Sequence, residues 1–157
     1  MIEGWEISSD RVSVFAKLMS DYPIEEPIIT SKCKIDNNYG FLIVSDNGFA
    51  WRKHGAFGTS FYDVGKSYWI RWHDVTNIIE KKKGQIIIEI LKREVGNFIV
   101  DKEGNLEIKK WKLTVNQNKN EEKSHWKHRE EKFYNIMLEI YNKNKVEKTP
   151  LISDSVM

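Results

Sequence analysis

Glu107-Ile108-Lys109 sets a carboxylate and an ammonium on one face of any strand that contains it, and Asp101 lies just upstream. Two carboxylates holding Mg²⁺ while a lysine steadies the attacking water is the arrangement of a metal-dependent nuclease. Asp101 is closer in sequence than that chemistry normally uses, and a Glu-x-Lys pair is also an ordinary solvent face. The catalytic reading with Asp101, Glu107 and Lys109 is therefore the alternative, not the favoured one. His125-x-x-His128, with Glu122 and Glu131 beside it, puts two imidazoles on adjacent turns of a helix. Zinc sites usually take four convergent ligands, and Cys33 alone does not complete the set, so no metal or cofactor is expected. His73-Asp74 has no serine or cysteine nucleophile with flanking glycines. Asp74 reads as a cap on a loop amide, His73 as a surface residue, and Cys33 as a small apolar residue packed on a strand.

The other candidates bind and do not react. Lys81-Lys82-Lys83 forms a basic turn, with Lys92 and Arg93 expected near it across the hairpin that it opens. Such a turn can contact phosphates on a membrane or on nucleic acid, although lysines at a strand edge also serve solubility alone. Arg52-Lys53-His54 beside Trp51 has the composition of a single-stranded nucleic-acid platform, which would need Trp51, Trp69 and Trp72 on one exposed face. Aromatics alternating along strands more commonly pack in a core, so nucleic acid is not the favoured partner.

These residues must be positioned by a chain of 157 residues, a length suited to one domain. The apolar share is 40%, the charged share 31%, and there are six Trp, six Tyr and seven Phe, enough to build a core. One cysteine excludes an internal disulfide and suits a reducing compartment. No apolar run approaches the roughly 20 residues that span a bilayer, so the expected location is the cytoplasm, with peripheral membrane contact open. Net charge is +2, with residues 1–27 balancing at −4 and the rest at +6. A mildly basic body behind an acidic leader attracts anions weakly.

Ser8-Ser9-Asp10 offers a helix cap, and Val12, Phe15, Ala16 and Met19 follow at helical spacing until Pro23 stops the run. Strand candidates then succeed one another from Ile28 to Val115. Phe41–Val44 and Phe49–Arg52 flank Asp46-Asn47-Gly48, a hairpin signal in which Asn-Gly supplies left-handed turn residues. Phe61-Tyr62 and Trp69–Trp72 follow, then segments from Val75, Gln85, Asn97 and Leu106. Phe133, Ile136, Met137, Ile140 and Tyr141 form the apolar stripe of a closing helix over Glu121–Asn144, with Trp126 on the same face. The expected units are an N-terminal helical extension over 1–27, a main domain over 28–145 and a flexible tail over 146–157.

Strands first and one amphipathic helix last imply an α+β fold, a curved antiparallel sheet plugged by the helix. Across 28–144 the layout resembles the pleckstrin-homology-like superfamily, closest to its bacterial PH and GRAM-type branch. The resemblance rests on the Phe41–Val44/Phe49–Arg52 hairpin, on Trp72-His73-Asp74-Val75 with Ile78, and on the glycine-led strand Lys83-Gly84-Gln85-Ile86-Ile87-Ile88. It implies a half-barrel of about seven strands, no catalysis, and binding of phospholipid head groups, peptides or partner proteins. Lipid-binding members carry a basic cluster in and after the first strand-strand loop. Here that loop is Asp36-Asn37-Asn38-Tyr39, with Lys32 and Lys34 only before it. The function expected is a non-enzymatic binding module for a protein or peptide partner or for an anionic surface. Lys81, Lys82, Lys83, Arg52, Lys53, Lys92 and Arg93 are the expected contacts. Oligomeric state is not legible in the sequence.

Overall fold

The structure is a computed structural model that describes residues 11–53 and 67–156, with side chains as far as residue 145. Phe61-Tyr62, His54, the Ser8-Ser9-Asp10 cap and the side chains of the expected tail lie outside the described residues.

Seven strands form one antiparallel sheet: β1 Pro27–Ile35, β2 Asn38–Ser45, β3 Gly48–Lys53, β4 Ser67–Arg71, β5 Val75–Lys82, β6 Gln85–Leu91 and, after an excursion, β9 Ile108–Val115. Their spatial order is β4-β3-β2-β1-β9-β6-β5, so β4 and β5 are the two ends and the sheet does not close into a barrel. The architecture is α+β and consistent with a PH-like half-barrel. The excursion holds a separate two-stranded ribbon, β7 Arg93–Glu94 and β8 Asn97–Phe98. A 3-10 turn at Trp72–Asp74 links β4 to β5, and the closing helix α2, Lys123–Val156, packs against both that turn and β5.

The strands alternate, and both faces of β2 and β3 are used. Leu42, Val44, Phe49 and Trp51 enter the main core with Ile86, Ile88, Leu113, Phe133, Met137 and Ile140. Fully burying a side chain such as Phe133 is worth roughly 1.5–3 kcal/mol. Phe41, Ile43 and Ala50 point the other way and meet Val14 and Leu18 of α1, Val12–Asp21. The N-terminal helix therefore lies on the outside of the sheet. Its buried positions are Val14 and Leu18, while Val12 of the expected stripe is 54% exposed, because the packing surface of β2 and β3 decides which face turns inward.

Two sequence expectations change. The Asp46-Asn47 hairpin forms, with Ser45 opposite Gly48, but neither Asn47 nor Gly48 is left-handed. The left-handed pair is Asp36 (φ 48°) and Asn37 (φ 71°) in the β1–β2 turn. Asn47 acts instead through its side chain, donating to Pro23 O at 2.7 Å and accepting from Ser45 Oγ at 2.6 Å. Trp69 and Trp72 also do not share a face. Three positions apart, they fall on opposite sides of the chain: Trp72 follows Ile70 into the core and donates its indole N–H to Ser45 O at 2.8 Å, whereas Trp69 stacks on Tyr22 outside.

Helix α2 is fastened at several points along its length. Trp126 Nε1 donates to Val115 O at 2.9 Å and the Tyr141 hydroxyl donates to Thr76 O at 2.7 Å. Arg129, 7% exposed, donates to both oxygens of Glu121 at 2.9 and 3.0 Å and to Asn116 O. Burial alone would raise the Glu121 pKa. The Arg129 guanidinium, the Asn118 N–H and His125 outweigh it and hold the carboxyl at about 2.

Candidate functional site

A 220 Å³ pocket opens where the β1–β2 turn meets β3, β4 and the start of β9, among Asp36, Asn38, Trp51, Tyr68, Lys109 and Trp111. Trp51 and Tyr68 are register partners on β3 and β4 and stack at 6.1 Å between centroids. Trp111, three strands further along the sheet, approaches Tyr68 edge-on at 5.5 Å and Trp51 at 6.4 Å. Sheet curvature alone brings them together. Gly40 is necessary to this packing, because a Cβ there would stand 2.4 Å from the Trp51 ring.

Lys109 leans over this cluster, its Nζ 5.4 Å from the Trp111 centroid and 5.7 Å from that of Tyr68. The side chain is half-buried and makes no ion pair among the described residues. Burial first, then repulsion from Lys92, lowers its pKa, with Asp74 opposing. The ring faces supply some of the attraction that water has ceased to give.

The other residues of the catalytic alternative are used elsewhere. The Asp101 carboxylate accepts from the backbone N–H of Glu103 and of Asn105, both at 2.9 Å, capping its own turn. Glu107 pairs with Lys92 at 3.7 Å. Among the described residues no three His, Cys, Asp or Glu side chains gather as a metal site, and His125 instead contacts Glu121 at 2.6 Å.

The expected cation set is also dispersed. Lys81, Lys82 and Lys83 are exposed around the β5–β6 turn. Lys92 and Arg93 do not reinforce them, because the whole of β6, about 20 Å of extended chain, separates the two groups. Arg93 is committed internally: it donates to both Asp74 oxygens at 2.6 and 2.8 Å and to Gly96 O at 2.7 Å, and it stacks 3.9 Å over Phe98. Hydrogen bonding to Asp74 raises its pKa. Asp74 is thus a buried ion-pair partner and not a loop cap, while His73 is exposed as expected. Arg52 is 7% exposed and donates to Ser67 Oγ at 2.8 Å, and Lys53 beside it is half-buried. Cys33 is buried, which pushes its thiol pKa up, the Trp51 indole acting weakly in the other direction.

Sequence reasoning missed Tyr68 and Trp111 as pocket residues. Lys109 and Trp111 are two apart on one strand, so their shared face was readable. Their approach to Trp51 was not, because it depends on curvature. A second hidden contact lies at the lysine turn. Gly84 (φ +84°) lies against Glu130 of α2, and a Cβ there would fall 2.2 Å from Glu130 Oε2. Glu130 is 3% exposed with Oε2 unpartnered, and burial raises its pKa against Lys127 and Arg129.

No protein-family model and no curated protein matches this chain. Among the described residues, no helix is long and apolar enough to cross a membrane.

Proposed function

We propose that this chain is a non-enzymatic binding module that holds a protein or peptide partner at the aromatic pocket. An acidic group of the partner meets Lys109, and an apolar or aromatic residue lies over Trp51, Tyr68 and Trp111. Lys109 carries the reading: it is a half-buried ammonium facing ring surfaces, without an ion pair among the described residues. An incoming carboxylate restores the interaction that burial has removed, and rings around it exclude water. The open sheet with its packed terminal helix supports placing the chain in the pleckstrin-homology-like superfamily, in keeping with a binding role. The metal-dependent nuclease alternative, and nucleic-acid binding with it, draws less support, since Asp101, Glu107 and Lys109 serve separate contacts.

The second reading is an anionic, phospholipid-type surface met by Lys81, Lys82 and Lys83, whose side chains are exposed and make no ion pair among the described residues. One experiment separates the two. Fluorescence anisotropy with acidic hexapeptides carrying one aromatic residue should show binding that Lys109→Met weakens by about tenfold or more. Lys81→Gln/Lys82→Gln/Lys83→Gln should leave that binding unchanged. Peptides that do not bind, alongside phosphatidylserine vesicles that bind only while the three lysines are present, would replace the first reading with the second.

A further inference from the structure

A 430 Å³ cavity lies elsewhere, between the segment after α1, the β2–β3 turn, the end of β4, the 3-10 turn and α2. Its walls include Glu25, Asp46, Trp69, Arg71, His73 and Lys143. Its floor is set by hydrogen bonds that involve none of the outward charges. Asn47 joins Pro23 O and Ser45 Oγ and accepts from Glu25 N at 3.2 Å, while Asn144 Nδ2 reaches Asp46 O at 3.2 Å. Three separate stretches of chain are thereby held in place before any ligand arrives.

The charges in this cavity are unevenly used. Asp46 and Lys143 pair at 3.7 Å. The Glu25 carboxylate and the Arg71 guanidinium face the same space, yet no ion pair joins them, and neither has another side-chain partner among the described residues. The Trp69 indole lines the same cavity, fixed by stacking on Tyr22 at 6.2 Å and by passing across Gly48. A pocket with one unspent carboxylate, one unspent guanidinium and an aromatic wall is complementary to a ligand carrying both charges and an apolar group. A purely anionic ligand would meet Glu25, and a purely cationic one would meet Arg71.

We infer that this cavity binds a free α-amino acid with an aromatic side chain. Its carboxylate takes the forked donors of Arg71, with His73 adjacent. Its ammonium takes Glu25, and its ring lies against Trp69. The volume lies in the range of small-molecule sites, roughly 300–1,000 Å³. The site shares no lining residue with the aromatic pocket around Lys109.

Titration calorimetry of the full chain with L-phenylalanine tests this. Saturable binding is expected, with a dissociation constant of about 1 mM or tighter. N-acetyl-phenylalanine lacks the ammonium and phenethylamine lacks the carboxylate, and each should bind at least about tenfold more weakly. Arg71→Gln and Glu25→Gln should each cause a similar loss with Tm unchanged, since both side chains are exposed and unpaired among the described residues. Equal binding of N-acetyl-phenylalanine would make this an anion site and overturn the inference. So would undiminished binding in both variants, or no heat with L-phenylalanine.

Discussion

Arg93 and the run Lys81–Lys83 look alike in the sequence, as cationic residues beside strands, and they are opposites in the folded chain. The Arg93 guanidinium is engaged by Asp74 and Gly96 O at its edges and by the Phe98 ring on one face. The three lysine side chains are exposed and make no ion pair among the described residues, Lys83 acting on Glu130 only at longer range. Arg93 holds the β7–β8 ribbon against the β4–β5 corner, whereas no ion pair ties the three lysine side chains to another element among the described residues. A cation counted in a sequence is free to bind a ligand only when no acid is folded against it, and Asp74, 19 residues upstream, is placed by the sheet.

The sharpest way to break this contrast is Arg93→Gln. Leaving Asp74 buried without its partner should destabilise the fold by about 2 kcal/mol in urea titration. Adding Asp74→Asn should recover part of that loss, because the second change removes the stranded charge. An unchanged midpoint in the single variant would place Arg93 with the lysines. Next in size is the acid limb of Glu121. Its folded-state pKa of about 2 lies below the unfolded value, so its contribution is complete above the unfolded range. That contribution is lost as pH falls from roughly 4.5 toward 2. Tm measured across that window should fall less steeply in Glu121→Gln, and parallel curves would refute the assignment.

A smaller effect is expected at the tip of the ribbon. Val95 is 95% exposed with φ 49°, a left-handed conformation that a β-branched side chain adopts at a cost. Val95→Asn should stabilise by about 1 kcal/mol, seen as a higher urea midpoint, and a loss of stability would show that the valine has a contact worth more than its strain. The smallest effect belongs to the lysine turn. Lys81→Gln/Lys82→Gln/Lys83→Gln should shift stability by less than about 0.5 kcal/mol. A larger drop would show the turn to be structurally committed after all.

Much of the fold was legible because it rests on local pattern. Alternation gave the strands, and the spacing of Phe133, Met137, Ile140 and Tyr141 gave the buried face of α2. The pocket was legible only in fragments. Lys109 and Trp111 share a face by strand geometry, yet Trp51 and Tyr68 reach them only through the bending of a sheet whose strands close late in sequence. Trp69 and Trp72 are three positions apart, so strand alternation itself sends them to opposite faces: Ile70 and Trp72 enter the main core while Trp69 lies outside. Asn47-Gly48 carried the strongest hairpin signal, yet the left-handed geometry went to Asp36-Asn37, where the turn is built from two residues that tolerate it.

Strand β2 is covered on both sides, by the α2 core on one and by α1 on the other. A fragment beginning at residue 28 would uncover Phe41, Ile43 and Ala50 as an adhesive apolar strip on an otherwise finished sheet. The leading helix therefore covers apolar surface that the sheet alone would leave bare, and trimming it should invite self-association before it reveals anything about ligands.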